Sequence, residues 1–259
     1  MAPEFPTSRQ PNTSELFGHL FPDFYTGLNS DIPLPQEIIF PQYWANTLKK
    51  VGELTSQDGN ERLVAIHYDT RSKQADLYKL DEWSQRGTSI SPSLARAAYS
   101  HSKYPIRTIG LGHSHPHPIG KRDRQIWVEY NRPESSAFLS PGDILFFLKR
   151  YEIPALFFAF DSSRMMLAIK SDQTVKPELS ITTFLLKEFY AQSRKSYKPT
   201  FRAKQNTLGG TLERVLNVVN LKMHSLNPNF DIFGWNILMA QKYKFHLYQG
   251  DFSVLKKVN

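Results

Sequence analysis

The sequence contains no cysteine among its 259 residues. That excludes disulfides, thiolate metal sites and a cysteine nucleophile, so any metal must be held by His, Asp or Glu. No apolar run approaches the roughly 20 residues that span a bilayer. The opening MAPEFPTSRQ lacks a basic-then-apolar signal pattern. The expectation is a soluble, cytoplasmic protein with no membrane association. Acidic residues are scarce in one part only. From Ala191 to Asn259 there are eleven Lys and Arg against three Asp and Glu, which accounts for the whole net charge of +8. This basic C-terminal part is either a solvated face or a surface for an acidic partner. It carries no recognisable nucleic-acid-binding motif, so nucleic acid is not the expected partner.

What is present is an ordinary globular balance, 40% hydrophobic and 22% charged, on a chain long enough for one sizeable core with appendages. Residues 1–35 hold Pro3, Pro6, Pro11, Pro22, Pro33 and Pro35, which break long elements, yet also Phe17, Leu20, Phe21, Phe24 and Tyr25. We expect an extended, Pro-rich arm lying on the domain or on a partner. Pro41 is placed to start a short helix, to about Lys50. Val51–Thr55 and Arg62–Tyr68 read as strands around the turn Ser56–Asn60, and Gln74–Leu80 as a third. Ser91–Ser102 reads as helix, Ile106–His115 as strand, and Asp143–Arg150 as a short apolar helix. Ile153–Asp161 and Met165–Lys170 read as buried strands, followed by a helix over Ile181–Lys195. This irregular alternation predicts an α/β or α+β domain over residues 36–197. Past a polar linker, the helical pattern of Thr211–Leu226 and the alternation in Tyr243–Tyr248 predict a small basic α+β extension over residues 198–259.

The chemistry-bearing stretch is Gly110-Leu-Gly-His-Ser-His-Pro-His-Pro118. On a strand, Ile109, Leu111, His113 and His115 share one face, and two imidazoles there can grip one zinc ion. Gly110 and Gly112 lie on the other face, where a backbone or a substrate could approach closely. His117 reads as a loop residue or a neighbour of the ligands. A catalytic zinc takes three protein ligands. Ser140-Pro-Gly-Asp143 supplies the third: Ser140 fits an N-cap, Pro141 the first helical position and Asp143 the third. A carboxylate there is stabilised by the helix start. The same four residues on their own would make a capping box. Combined with His-x-His, they complete a cysteine-free ligand set.

These two motifs, in this order, resemble those of the JAMM metallopeptidases, also called the JAB or MPN family, over residues 41–195. The resemblance implies an α/β, cytidine-deaminase-like fold with a curved mixed β-sheet flanked by helices. It implies one zinc ion held by His113, His115 and Asp143, with Ser140 beside the developing oxyanion. A glutamate on an earlier strand would act as general base. Glu53, which follows the first helix, is the first choice; Glu61 is the second, and Glu37 precedes the helix. Members hydrolyse peptide or isopeptide bonds at the C-terminus of ubiquitin or ubiquitin-like proteins, and some act on other small conjugates. The expectation is thus a zinc metallopeptidase, a deubiquitinase-like isopeptidase, whose substrate is a ubiquitin-like protein or its conjugate.

Two alternatives stand beside it: a non-catalytic scaffold of the same type, and another His-x-His metal hydrolase. The His-x-His-x-Asp-His pattern of metallo-β-lactamase-like enzymes is absent, because Pro116, His117 and Pro118 follow. Between the two motifs, residues 118–139 form an insertion rich in charge and aromatics, from Lys121 to Arg132. Its place between ligands leads us to expect that it gates the cleft or grips a substrate tail.

Overall fold

The computed structural model describes residues 13–20, 33–84, 105–116, 137–149, 155–178 and 231–259. In chain order the elements are α1 (Thr13–Leu20), β1 (Glu37–Ile39), α2 (Gln42–Asp58), β2 (Glu61–Asp69), β3 (Gln74–Ser84) and β4 (Ile106–Ser114). They continue with α3 (Pro141–Lys149), β5 (Leu156–Phe160), β6 (Met165–Ile169), α4 (Ile232–Tyr243), β7 (His246–Gly250) and β8 (Val254–Lys257). The helices expected over Ser91–Ser102, Ile181–Lys195 and Thr211–Leu226 lie outside the described residues, as do His117 and most of the insertion.

Among the described residues the chain is a mixed α/β protein built on one eight-stranded sheet, ordered β1-β8-β7-β6-β5-β4-β2-β3. β4 and β5 run parallel, and the other neighbouring pairs run antiparallel. β5 and β6 lie mid-sheet with both faces buried, which is why LFFAF and MMLAI are unbroken apolar runs instead of alternating ones. The sheet divides the core in two. On one face Leu63, Ala65, Leu111, Phe157 and Leu247 pack with α3 and α4. On the other, Val64, Ile66, Phe158, Phe160 and Leu167 pack with α1 and α2.

Ile109 belongs to the second set, not with Leu111, which corrects the expected four-residue face. The cause is a bulge. Ile66 pairs with Gly110 and His67 with Thr108, so Ile109 is skipped and the alternation shifts. The glycine face is also corrected. A Cβ on Gly112 would lie 2.2 Å from the Phe158 ring, and one on Gly110 3.0 Å from Ile66. Those side chains fill the space, leaving none for a substrate.

α2 runs to Asp58, well past Lys50, so Val51–Thr55 is helix and not strand. Trp44, Leu48, Val51 and Thr55 recur at three- and four-residue steps and are buried on one face. Gly52 lets that face close on the β5–β6 turn, because a Cβ there would lie 2.3 Å from the Asp161 carbonyl oxygen. Gly59 ends the helix at φ 75°, with its N–H donating to the Thr55 carbonyl at 2.8 Å.

Residues 231–259, expected as a separate extension, complete the same sheet. β7 pairs with β6, and β8 joins β7 to β1. Trp235, Met239 and Tyr243 of α4 are buried in its core. Within the N-terminal arm, α1 buries Leu16, Phe17 and Leu20 on the α2 side. The Thr13 hydroxyl donates to the Ile39 carbonyl of β1, while α1 packs on β3 at the opposite sheet edge. One short helix thus meets both edge strands of a curled sheet, where unpaired backbone would otherwise invite association. No helix among the described residues is long and apolar enough to cross a membrane.

Candidate metal centre

β4 delivers His113 within the strand and His115 one residue beyond its end. The exit is held by the His115 N–H, which donates to the Phe160 carbonyl at 2.6 Å. Two residues apart on extended backbone, both imidazoles project to one side. They are buried and meet edge to face, with ring centroids 4.6 Å apart and Nε2 atoms 2.8 Å apart. Phe157 packs on the His113 ring and Phe138 on the His115 ring.

α3 begins across from them. Ser140 Oγ accepts the Asp143 N–H at 3.2 Å, and Asp143 Oδ2 accepts the Ser140 N–H at 2.8 Å. The capping box does form. The other oxygen of Asp143, Oδ1, lies 3.6 Å from Nε2 of His113. Capping and metal binding are not competing uses of this carboxylate, since each takes one oxygen. Ligand atoms of His113, His115 and Asp143 all lie within 4.8 Å of one another, and the group could bind a metal ion.

Burial lowers the His113 pKa to about 4, against the pull of the Asp143 carboxylate and with some help from His115. The ring is neutral at pH 7, the form that offers a lone pair to a metal. Its Nδ1 is buried and has no hydrogen-bond partner among the described residues.

The glutamates separate clearly. Glu53 lies on the exposed side of α2, not on a strand, and is not brought to the histidines. Glu37, in β1, reaches toward Lys256 at 3.7 Å on the far edge of the sheet. Glu61 opens β2 two residues before Leu63, which pairs with His113. Alternation puts Glu61 on the face that carries the imidazoles. Burial pushes its carboxyl up to about 7, with the charge of His115 lowering it and that of Asp143 raising it. As a whole residue Glu61 is half-buried, so solvent screening reduces the energetic weight of that shift.

One supporting residue carries no motif. Asn236 of α4 is fully buried, donates from Nδ2 to the Leu139 carbonyl at 2.9 Å, and accepts the Leu139 N–H at 2.8 Å. It clamps the residue before Ser140 from 97 positions away. The available signal was a single amide inside the apolar run Ile232–Met239.

No family model, curated protein or solved structure matches this chain.

Proposed function

We propose that the chain is a zinc-dependent hydrolase of JAMM/MPN type and fold. It would cleave a peptide or isopeptide bond at the C-terminus of ubiquitin or a ubiquitin-like protein, in the cytoplasm. The observation that carries the proposal is the convergence of His113, His115 and Asp143 on the face shared by Glu61. The donor set fits zinc: two imidazole nitrogens and one carboxylate oxygen. Ligand atoms of a tetrahedral zinc stand roughly 3.3 Å apart, given bond lengths of about 2.0–2.1 Å. The separations of 2.8 Å and 3.6 Å in the pocket straddle that value.

When bound, zinc supplies Lewis acidity, polarising a carbonyl oxygen and acidifying water to a pKa near 7. His113, His115 and Asp143 would hold it, with His113 kept neutral by its burial and both rings packed by aromatic neighbours. In the metal-free protein burial raises the Glu61 carboxyl to about 7, and a dication held beside it would favour the ionised form, the one that accepts a proton. That suits a group which takes a proton from the attacking water and returns it to the leaving amine. Ser140 Oγ accepts from the Asp143 N–H, which leaves its own O–H to donate to the oxyanion. Phe138 and Phe157 cover the imidazoles and limit bulk water around them. The substrate class comes from the motif resemblance, and the pocket chemistry supports hydrolysis.

The test is cleavage of a panel of ubiquitin-like conjugates by the zinc-loaded protein, beside Glu61→Gln and His113→Ala. Cleavage by the wild type and its loss in both variants is expected. A wild-type chain that holds zinc and cleaves nothing in the panel contradicts the substrate assignment.

A further inference from the structure

Ser114 stands between the two histidines and faces the other side of β4. It is fully buried, and its hydroxyl is richly engaged. The oxygen accepts the backbone N–H of Arg62 at 2.9 Å, lies 3.4 Å from the Arg62 carbonyl oxygen, and shares a 2.5 Å hydrogen bond with Thr55 Oγ1. Main-chain pairing of β2 with β4 ends at Leu63 and His113. One step further, the Ser114 side chain takes over the contact with Arg62.

The network extends on both sides of Glu61. Thr55 Oγ1, on α2, accepts from Arg62 Nη1 at 3.3 Å. The same guanidinium donates to Asp58 at 3.0 and 2.6 Å and to the Asn60 carbonyl at 2.9 Å. Asn60 and Arg62 flank Glu61. The last turn of α2, both neighbours of Glu61 and the residue between His113 and His115 are thus tied together.

We infer that Ser114 is a positioning residue for the metal pocket. Its hydroxyl, anchored on Thr55 and Arg62, sets how His113 and His115 present their Nε2 atoms and where Glu61 stands beside them. This rests on the metal-site reading above. Removing the hydroxyl takes the acceptor from the buried Arg62 N–H and leaves the Thr55 hydroxyl with only the Arg62 guanidinium, a cost the strand end can relieve only by moving. The imidazoles on either side of Ser114 move with it.

The test uses the full chain, with cobalt(II) alone as the probe. Wild type, Ser114→Ala, Thr55→Val and the double variant are titrated by visible absorption, well below the melting temperature of each metal-free protein. Thr55→Val keeps the side-chain shape, removes only the partner hydroxyl, and sits on another element. Ser114→Ala is expected to bind cobalt about 10-fold more weakly, the scale set by supports of metal ligands, and to alter the visible band. Thr55→Val should shift affinity in the same direction by a smaller factor. The double variant should lose less than the two single effects combined, because both substitutions break the Thr55–Ser114 hydrogen bond, while Thr55→Val also removes an acceptor of Arg62 Nη1. Variants that melt earlier yet bind cobalt with wild-type affinity and band shape overturn the inference, as does an additive double variant. If Ser114→Ala does not fold, Thr55→Val alone decides by the same readouts. A wild-type chain that takes up no cobalt overturns the metal-site reading and this inference with it. A wild-type chain that binds, with variants unchanged, overturns the inference alone.

Discussion

The two faces of β4 at its C-terminal end bury polarity in opposite ways. Toward α2, Ser114 contacts Thr55 and both backbone groups of Arg62. Toward α3, His113 keeps an Nδ1 with no hydrogen-bond partner among the described residues, and its Nε2 meets a second imidazole and a carboxylate. Buried polar groups are normally satisfied, because an unmet one costs about 1–3 kcal/mol. The α2 side follows that rule and fixes the strand. The α3 side departs from it at His113 Nδ1, while Nε2 of the same ring stands in a group that could hold a metal ion. Engaged polarity marks the scaffold, and the proposed metal centre lies on the opposite face of the strand.

Substitutions can break this contrast. The largest effect is expected at Glu61. Glu61→Gln should cut turnover by about 10²–10⁴-fold while zinc content stays at the wild-type level. Glu53→Gln, on the exposed side of α2, should leave the rate unchanged. If the two variants behave alike in a cleavage assay, the pocket does not extend to β2.

The scaffold side should show the reverse pattern. Gly112→Ala drives a Cβ to within 2.2 Å of the Phe158 ring. Overpacking of this kind costs about 1–3 kcal/mol in denaturant unfolding, and an unchanged midpoint would show that Phe158 has room to move. Ser140→Ala removes the N-cap of α3, at about 1 kcal/mol by the same measurement, with zinc retained and turnover reduced. Zinc loss in that variant would mean that the cap, not Oδ1 alone, holds Asp143.

The smallest effect is a pH dependence of the metal-free protein. Glu61 has a folded pKa raised from the ordinary 4.5 to about 7. Its contribution to stability is full below about pH 4.5 and is lost as pH rises through about 7. His113 has a folded pKa lowered from 6.5 to about 4. Its contribution is present above about pH 6.5 and is lost as pH falls through about 4. Glu61→Gln should flatten the alkaline side of the stability profile from denaturant midpoints, leaving the acid side sloped. A profile that keeps its alkaline slope in Glu61→Gln assigns that slope elsewhere.

The candidate ligand set was legible because it is local. His113 and His115 are two residues apart on a strand, and Asp143 follows Ser140 by one helical turn, so backbone periodicity alone brings each pair into register. The candidate base was not legible in the same way. Taking Ser56–Asn60 as a turn made Val51–Thr55 look like a strand, whereas the spacing of Trp44, Leu48, Val51 and Thr55 continues a helix. Following that spacing to Gly59 would have placed Glu53 outside and Glu61 at the head of the next strand. The clamp by Asn236 and the places of β7 and β8 in the sheet depend on partners far along the chain, which local patterns do not encode, although the alternation in Tyr243–Tyr248 did mark a strand. The bulge that turns Ile109 away from Leu111 likewise arises from pairing with β2.

The most direct measurement is the zinc retained per chain after the purified protein is equilibrated with zinc and dialysed. The expected result is one ion per wild-type chain and none in His113→Ala or His115→Ala variants that keep the wild-type circular dichroism spectrum. A folded wild-type chain that retains no zinc, or variants that retain as much as the wild type, would contradict the three-ligand centre.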